Sequence, residues 1–581
     1  MNTELRRARH RQMFIFLFVC LAMLGLLVRL YYWQVVRAQD LTQQATAEHI
    51  QNQIVNAPRG IIFDATGHIL ATNVVRDDVY IEPIQFVVDH PDTDHSPSEL
   101  QDLVRTLHQV LPAVSQDQLM KAFASGKTTV RIAGPIEPAQ SQQLRSLHLP
   151  DTFLEPRTLR VYPAGNLAAQ TLGYVQDGVG GLYGIEGAYD KLLTGKPGNL
   201  TAETDLNGNP LTVGASSGQA ATRGANLTLT IDSTMQQIVQ SALADRVKAS
   251  NAQGGTAVVV DVQSGAIVAM AGAPTFDPNH YASYYKTMGC LDSESVYLNP
   301  VLNCAYEPGS TLKSVTMAAA LDQGLITPDL SFDDPGYISF NDAVTVTNWA
   351  DKGYGKETMT GVLEHSANVG AAYVAHDILK ADRYYPYLQN FGFGQLTNVG
   401  GPEEQGTYRT NKSADWTPSD LTRQAFGQSI TATPLQVAMA YAAIANGGVM
   451  MRPYLVSAID NNGQVTQTRP QALRRVISDT AALQLNHMLV DAANFNQQAT
   501  FSGYSVAVKT GTATTQGISD EQTEASMAGF LPASHPRFAI LVKIDRPQGG
   551  DNIFGGVAAA PLWRYIGQQL MWHYGVAPDQ P

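Results

Sequence analysis

Charge is sparse in this chain: Asp, Glu, Lys and Arg make up 15% of its 581 residues, against 44% hydrophobic ones. That balance excludes an intrinsically disordered chain, in which apolar content is low and charge is high. Basic residues are scarcer than acidic ones, 38 against 51, for a formal net charge of -13. Binding a phosphate backbone takes concentrated Lys and Arg, so nucleic acid is excluded as the expected partner. Fixed-period repeats and low-complexity tracts are absent, which removes solenoids and linker arrays. Cysteine occurs three times. What remains is a globular chain roughly three to four times the length of a typical domain, so more than one folded unit is expected.

Near the N-terminus, Arg6, Arg7, Arg9 and Arg11 precede an uncharged apolar run from Met13 to Val28, which continues past Arg29 through Leu30, Tyr31, Tyr32 and Trp33. The stretch matches the ~20 residues that cross a bilayer, with aromatics at interface depth. Basic residues ahead of it place the N-terminus in the cytoplasm and roughly 540 residues outside. A cleaved signal peptide and a buried soluble helix are the rival readings. The first would need a small-x-small site where Tyr31-Tyr32-Trp33-Gln34 stands. Cys20 lies in the anchor behind bulky Phe18 and Val19, where lipoprotein signals carry small residues. Cys290 and Cys304 fall outside, where disulfides form; a bridge and two free thiols are both open.

The expected fold class is α+β. Residues 1-36 form the tail and anchor, 37-222 an elongated non-catalytic α+β module, and 223-581 a second domain. In the front module, Pro58 to Ala71 alternates around an Asp64-Ala65-Thr66-Gly67 turn and reads as a hairpin. Helical patterning covers Ser98 to Leu111 and Gln116 to Ala124. Small residues cluster from Val213 to Gly224 at the boundary. Leu227 to Asp232 then reads as a strand leading into a helix capped by Ser233. Strands are expected at Thr256 to Asp261, Ala266 to Ala271, Val506 to Lys509, Ser526 to Leu531 and Phe538 to Asp545, with a long helical insertion after the second. They give a five-stranded antiparallel sheet flanked by helices, ending in a helix from Pro561 to Tyr574.

Three short motifs carry the chemistry: Ser310-Thr311-Leu312-Lys313, Ser366-Ala367-Asn368 and Lys509-Thr510-Gly511-Thr512. Ser310 follows the breaker Pro308-Gly309 at the head of a helix, beside free backbone N–H groups that favour developing negative charge. Lys313, one turn on, shares its face and can act as a base if it is desolvated or placed near another cation such as Lys509. Ser366 can relay a proton, and the Asn368 amide can both donate to and accept from a peptide. Lys509 to Thr512 end a strand; at a sheet edge, that strand can pair with an extended peptide while the hydroxyls and Lys509 bind a carboxylate. Each motif alone is weak. Ser283-Tyr284-Tyr285-Lys286 and Ser339-Phe340-Asn341 repeat two of the patterns in settings that argue against a site.

In this order the motifs resemble those of the serine penicillin-recognising enzymes, and Tyr306-Glu307-Pro308-Gly309, Gly427 to Gln436 and Tyr441 to Gly448 match as well. Arg59-Gly60, Gly173-Tyr174 and Gly184-Ile185-Glu186 are similar to the pedestal of class B, monofunctional penicillin-binding proteins. The resemblance implies a Ser310 nucleophile, a Lys313 base, a Ser366 shuttle, Asn368 on the donor peptide, and Lys509, Thr510 and Thr512 on its carboxylate, with Gly511 among the substrate-binding residues as the position that permits close approach. It implies D,D-transpeptidation of peptidoglycan stem peptides ending in D-Ala-D-Ala, acylation by β-lactams, and no metal or cofactor. The chain departs from class A β-lactamases, which carry Asp at the place of Ala367 and a deacylating Glu in a later loop; Glu294 stands in the wrong order. Pro547-Gln548-Gly549-Gly550 and Gly555 to Pro561 look more like the division branch than the elongation branch. Either branch implies a polytopic lipid II polymerase of the SEDS family as partner, and the division branch adds division-complex membrane proteins.

Overall fold

The computed structural model describes residues 2–41, 50–89, 96–203, 216–289, 295–340, 344–497, 499–514 and 522–580. Two compact units emerge, one of Met1–Pro58 with Thr194–Gly224 and one of Arg59–Leu193 with Ala225–Pro581. The first holds the helix Asn2–Tyr31, a π-helical turn Tyr32–Val36 and a three-stranded antiparallel sheet of Ile50–Val55, Gly198–Glu203 and Ser216–Gln219. Its stretch Arg9–Val36 is long and apolar enough to cross a membrane.

In the second unit the front segment begins with the expected hairpin, Ile62–Phe63 against the long strand Ile69–Ile81. That strand also pairs with Thr152–Val161 and Val130–Ile136. Its Val79 and Ile81 share a core with Leu103, Leu107 and Leu119 of the helices Ser96–Val110 and Gln116–Phe123. Arg59 and Glu186 of the family motifs meet directly. Buried Glu186 binds Arg59 Nη2 at 2.6 Å and Arg160 Nε at 2.7 Å, and Asp190 takes Arg59 Nη1 at 2.7 Å. A carboxylate shared by two guanidinium groups is how a buried charge avoids the cost of standing alone.

The catalytic part is built on the five-stranded sheet β1 (Gly254–Asp261), β2 (Ile267–Ala273), β3 (Ala507–Thr514), β4 (Thr523–Leu531) and β5 (Phe538–Asp545). Its order is β2-β1-β5-β4-β3, antiparallel throughout, with β3 at one edge. Both faces are covered, which is why β1 and β5 carry the unbroken apolar runs Ala257–Val260 and Phe538–Val542. Val259, Val542 and Met527 pack with α1 (Ser233–Ala249) and the final helix Ala560–His573. Val258, Leu541 and Ala528 face the helices of the long insertion.

Two local expectations change. Ser233 does not cap α1: Asp232 does, its carboxylate accepting from the N–H groups of Thr234 and Met235, while Ser233 Oγ donates to Asp64 at 2.6 Å. Asp is as good an N-cap as Ser and has a second oxygen, which takes His573 Nε2 at 2.7 Å. Lys509 to Thr512 do not end a strand. β3 runs on through the motif to Thr514 because β4 offers a partner for every residue. Cys304 is disulfide-bonded, while Cys290, its candidate partner, lies outside the described residues, as do Glu294 and Asn341.

A buried charge cluster lies on β4 and the central strand β5. Opposed residues of antiparallel strands share a face, so Gly511, Ser526, Lys543 and Thr256 form one row across β3, β4, β5 and β1. Lys543 is fully buried, binds Asp545, lies 3.4 Å from Glu524 Oε2 and sits 5.1 Å from the centre of the Tyr306 ring. Burial, and then Asp545, push the Glu524 carboxyl well above its usual range, although Lys543 pulls the other way. A raised folded-state pKa contributes stability fully below the unfolded value, near 4.5, that is lost as pH rises towards the folded one. Glu524→Gln is therefore expected to unfold at a higher temperature than wild type at pH 7, with the gap shrinking at pH 4.5. Thermal unfolding at the two pH values measures it.

Candidate active site

Ser310 sits in a 3-10 turn, Gly309–Leu312, that leads into α2 (Lys313–Asp322). The turn is held from two sides. Gly309 N donates to Gly427 O at 3.0 Å, Tyr306 and Ala432 exchange backbone bonds at 3.0 and 2.9 Å, and Glu307 Oε1 accepts from Ser429 N at 2.9 Å. Below, Tyr441 Oη donates to Thr311 O at 2.8 Å. These bonds explain why the segment Gly427 to Gln436 accompanies the nucleophile motif. Gly309 has φ +56°, and a Cβ there would stand 2.8 Å from Thr512 O, so this turn closes onto β3 only with glycine.

Ser366 lies between α3 (Met359–Glu364) and α4 (Asn368–Tyr373), at φ +56°. That left-handed conformation is uncommon for a side chain larger than hydrogen and is held by the surrounding structure. Asn368 Nδ2 donates to Thr347 O at 3.1 Å, and Val369 N donates to Asn348 Oδ1 at 3.0 Å. Asn348 in turn donates to buried Asp334 at 2.8 Å.

The three motifs converge on Ser366. Lys313 Nζ donates to Ser366 O at 2.5 Å, Ser366 Oγ at 3.2 Å and Asn368 Oδ1 at 2.8 Å. From the opposite side Lys509 Nζ reaches Ser366 Oγ at 3.0 Å and Thr510 Oγ1 at 3.5 Å. One hydroxyl therefore stands between two lysine amines. Ser310 Oγ makes no hydrogen bond among the described residues, and it is half-buried at the head of α2, one helical turn from Lys313. Gly511 and Thr512 lie beside it on β3: a Cβ on Gly511 would stand 2.7 Å from Pro308 O.

Both lysines are buried, at 0% and 3% exposure. Burial, and then the Lys509 cation, hold Lys313 well below the usual lysine range; burial pushes Lys509 down to about 7. A desolvated amine beside a second cation is the environment in which a lysine becomes a base near neutral pH. The β3 edge leaves backbone groups for an extended peptide. At its rim Trp349 and Phe554 meet edge to face at 5.2 Å, and Gly555 N donates to Thr512 Oγ1 at 3.1 Å.

Ser283 and Lys286 stay outside this network: Ser283 is in a separate 3-10 segment, and Lys286 lies over the Tyr285 ring at 5.4 Å. Ser339 pairs with Thr345 at 2.9 Å. Sequence reasoning missed Asn348, Glu357 and His365. His365 adjoins Ser366, but Asn348 and Glu357 reach the site through tertiary packing that no local pattern announces.

The model of the penicillin binding protein transpeptidase domain matches residues 255–568, and that of the penicillin-binding protein dimerisation domain matches 54–229. Penicillin-binding protein PbpB of Mycolicibacterium smegmatis is 30% identical, over 95% of this chain and 89% of its own length. Peptidoglycan D,D-transpeptidase FtsI of Escherichia coli is 29% identical, over 97% and 91%. Among solved structures, penicillin binding protein 3 of Mycobacterium tuberculosis, complexed with aztreonam, has a TM-score of 0.68 at 26% identity, over 91% of this chain and 99% of that one. A peptidoglycan synthetase from Bifidobacterium adolescentis has a TM-score of 0.69 at 27% identity, over 92% and 98%. With the site geometry and both domain matches in agreement, the chain belongs to the class B penicillin-binding protein transpeptidases.

Proposed function

We propose that the chain is a serine-type peptidoglycan D,D-transpeptidase of septal wall synthesis, working through an acyl-enzyme on Ser310. The observation that carries this reading is the Ser366 hydroxyl held between two buried lysines, at 3.2 Å from Lys313 and 3.0 Å from Lys509. A stem peptide ending in D-Ala-D-Ala pairs along β3, with its carboxylate at Lys509, Thr510 and Thr512 and its backbone at Asn368. Neutral Lys313 takes the Ser310 proton as Oγ attacks the penultimate carbonyl, and the N–H groups of Ser310 and Thr512 stabilise the oxyanion. Ser366 relays the proton now on Lys313, 3.2 Å away, to the departing D-Ala amine. An amine of a neighbouring strand then attacks the ester, forming the cross-link and freeing Ser310. β-Lactams acylate the same hydroxyl, and the scheme calls on no metal or cofactor.

The helix within Arg9–Val36 anchors the chain in the cytoplasmic membrane by a single pass, with residues 37-222 as pedestal and 223-581 as catalytic domain outside. The reading includes division-site placement and a SEDS-family lipid II polymerase as partner, as the sequence resemblance to the division branch implies. The test is detergent-solubilised full-length protein given a stem pentapeptide ending in D-Ala-D-Ala and an amine acceptor. D-Ala release coupled to a new amide is expected; release with hydrolysis alone would replace the reading with a carboxypeptidase.

A further inference from the structure

Arg246, near the end of α1, directs its charge at main chain and, among the described residues, at no carboxylate. Its Nε donates to Ala558 O and its Nη2 to Val557 O, each at 2.7 Å. Val557 O needs such a donor: the residue four positions on, which would serve it in a continuing helix, is Pro561, and proline has no N–H. The two carbonyls close a four-residue helix, α5 (Gly555–Ala558), whose other end reaches the site. Gly555 N donates to Thr512 Oγ1 at 3.1 Å, and a Cβ on Gly555 would collide with the carbonyl oxygens of Gly511 and Ser526. From β4, Thr523 Oγ1 donates to Ile553 O at 2.6 Å. Both α1 and Ala558 belong to the core on the sheet face opposite the insertion, so Arg246 bears on the site from behind it.

We propose that Arg246 is a positioning residue that acts through Thr512: by clamping the end of α5 it keeps the Gly555 N–H on Thr512 Oγ1, and that bond leaves the threonine proton for the ligand's carboxylate. The inference rests on the reading of Thr512 as a carboxylate-binding residue. A hydroxyl carries one proton and two lone pairs, while an ionised carboxylate only accepts, so Thr512 can bind it only as a donor. A free hydroxyl rotates and can turn its proton to a nearby backbone carbonyl instead. With the Gly555 N–H on one lone pair the rotor is held, and Thr512 Oγ1 donates to no group among the described residues. The Thr512 backbone is fixed separately, by its pairing with Ala525 on β4. Loosening α5 therefore frees the hydroxyl while the Thr512 N–H, offered to the oxyanion, stays in place. Recognition of the carboxylate should suffer, and attack by Ser310 should not.

The measurement is the second-order rate constant for acylation of the full-length protein by benzylpenicillin and by its methyl ester, which lacks the carboxylate charge, followed by intact mass. Wild type should prefer the acid, and Thr512→Val should lose about tenfold of that preference, the worth of one hydrogen bond to a charged group. Arg246→Met should slow the acid at least about threefold and leave the ester within about twofold, and Arg246→Lys, which keeps a donor for one carbonyl, should restore part of the preference. In the Thr512→Val background, adding Arg246→Met should change the preference by less than about twofold, because the hydroxyl it orients is gone. A merely structural role would slow acid and ester alike. That result, a wild-type preference in Arg246→Met, or losses that multiply in the double variant overturns the proposal. If Arg246→Met does not fold, Arg246→Lys and Arg246→Gln decide by the same ratio: a smaller preference for the acid supports the proposal, and the wild-type ratio overturns it. A wild type that takes acid and ester equally, with Thr512→Val no different, overturns the carboxylate assignment itself and the proposal with it.

Discussion

Lys313→Met acylates with β-lactam about 10²–10⁴-fold more slowly than wild type while keeping its fold, the span expected when a general base is removed. Stopped-flow or quench measurement of the acylation rate constant checks it. The effect is large because nothing else at the site can replace this amine. Lys509 is committed to Ser366 and Thr510, and Ser310 Oγ has no hydrogen bond among the described residues to polarise it. Methionine fills nearly the same volume, so the loss cannot come from a cavity. A rate within threefold of wild type would move the base elsewhere.

Gly427→Ala is expected to disable the site from outside it. Gly427 has φ +83°, and a Cβ there would lie far inside van der Waals contact with the Gly309 carbonyl and amide. Those are backbone atoms of the turn that presents Ser310, and they can yield only by moving that turn off β3. Left-handed strain alone costs about 1–3 kcal/mol, before the collision is added. Acylation should fall at least about tenfold, because a displacement near 1 Å of a reacting group costs that much or more. Chemical unfolding and acylation rates, measured on the same preparation, separate the two effects. Unchanged acylation in the variant would mean that the Gly427–Gly309 contact does not set the nucleophile's place.

These outcomes depend on features that differed in how plainly the sequence announced them. The sheet was legible because strands covered on both faces leave unbroken apolar runs, as in Thr256 to Val260 and Phe538 to Val542. The three motifs were legible because each is local, with its spacing set by one turn of helix or one stretch of strand. The end of β3 was misjudged, since Gly511 interrupts the strand signal of its threonines and the segment is carried through as strand by pairing against β4. The cap at Asp232 was misplaced by one residue because Ser233 is an equally good candidate until Asp64 engages it from the front hairpin. Glu357 and Asn348 could not be found in this way. Their link to Ser366 spans a strand pairing and a stacked ring, and neither leaves a period in the chain.

Intact mass with peptide mapping of the full-length protein after exposure to a β-lactam, for wild type and Ser310→Ala, tests the acyl-enzyme most directly. The account predicts one slowly released adduct, on the peptide that contains Ser310, and none in the variant. A folded wild type without an adduct, or an adduct that survives in Ser310→Ala, would contradict it.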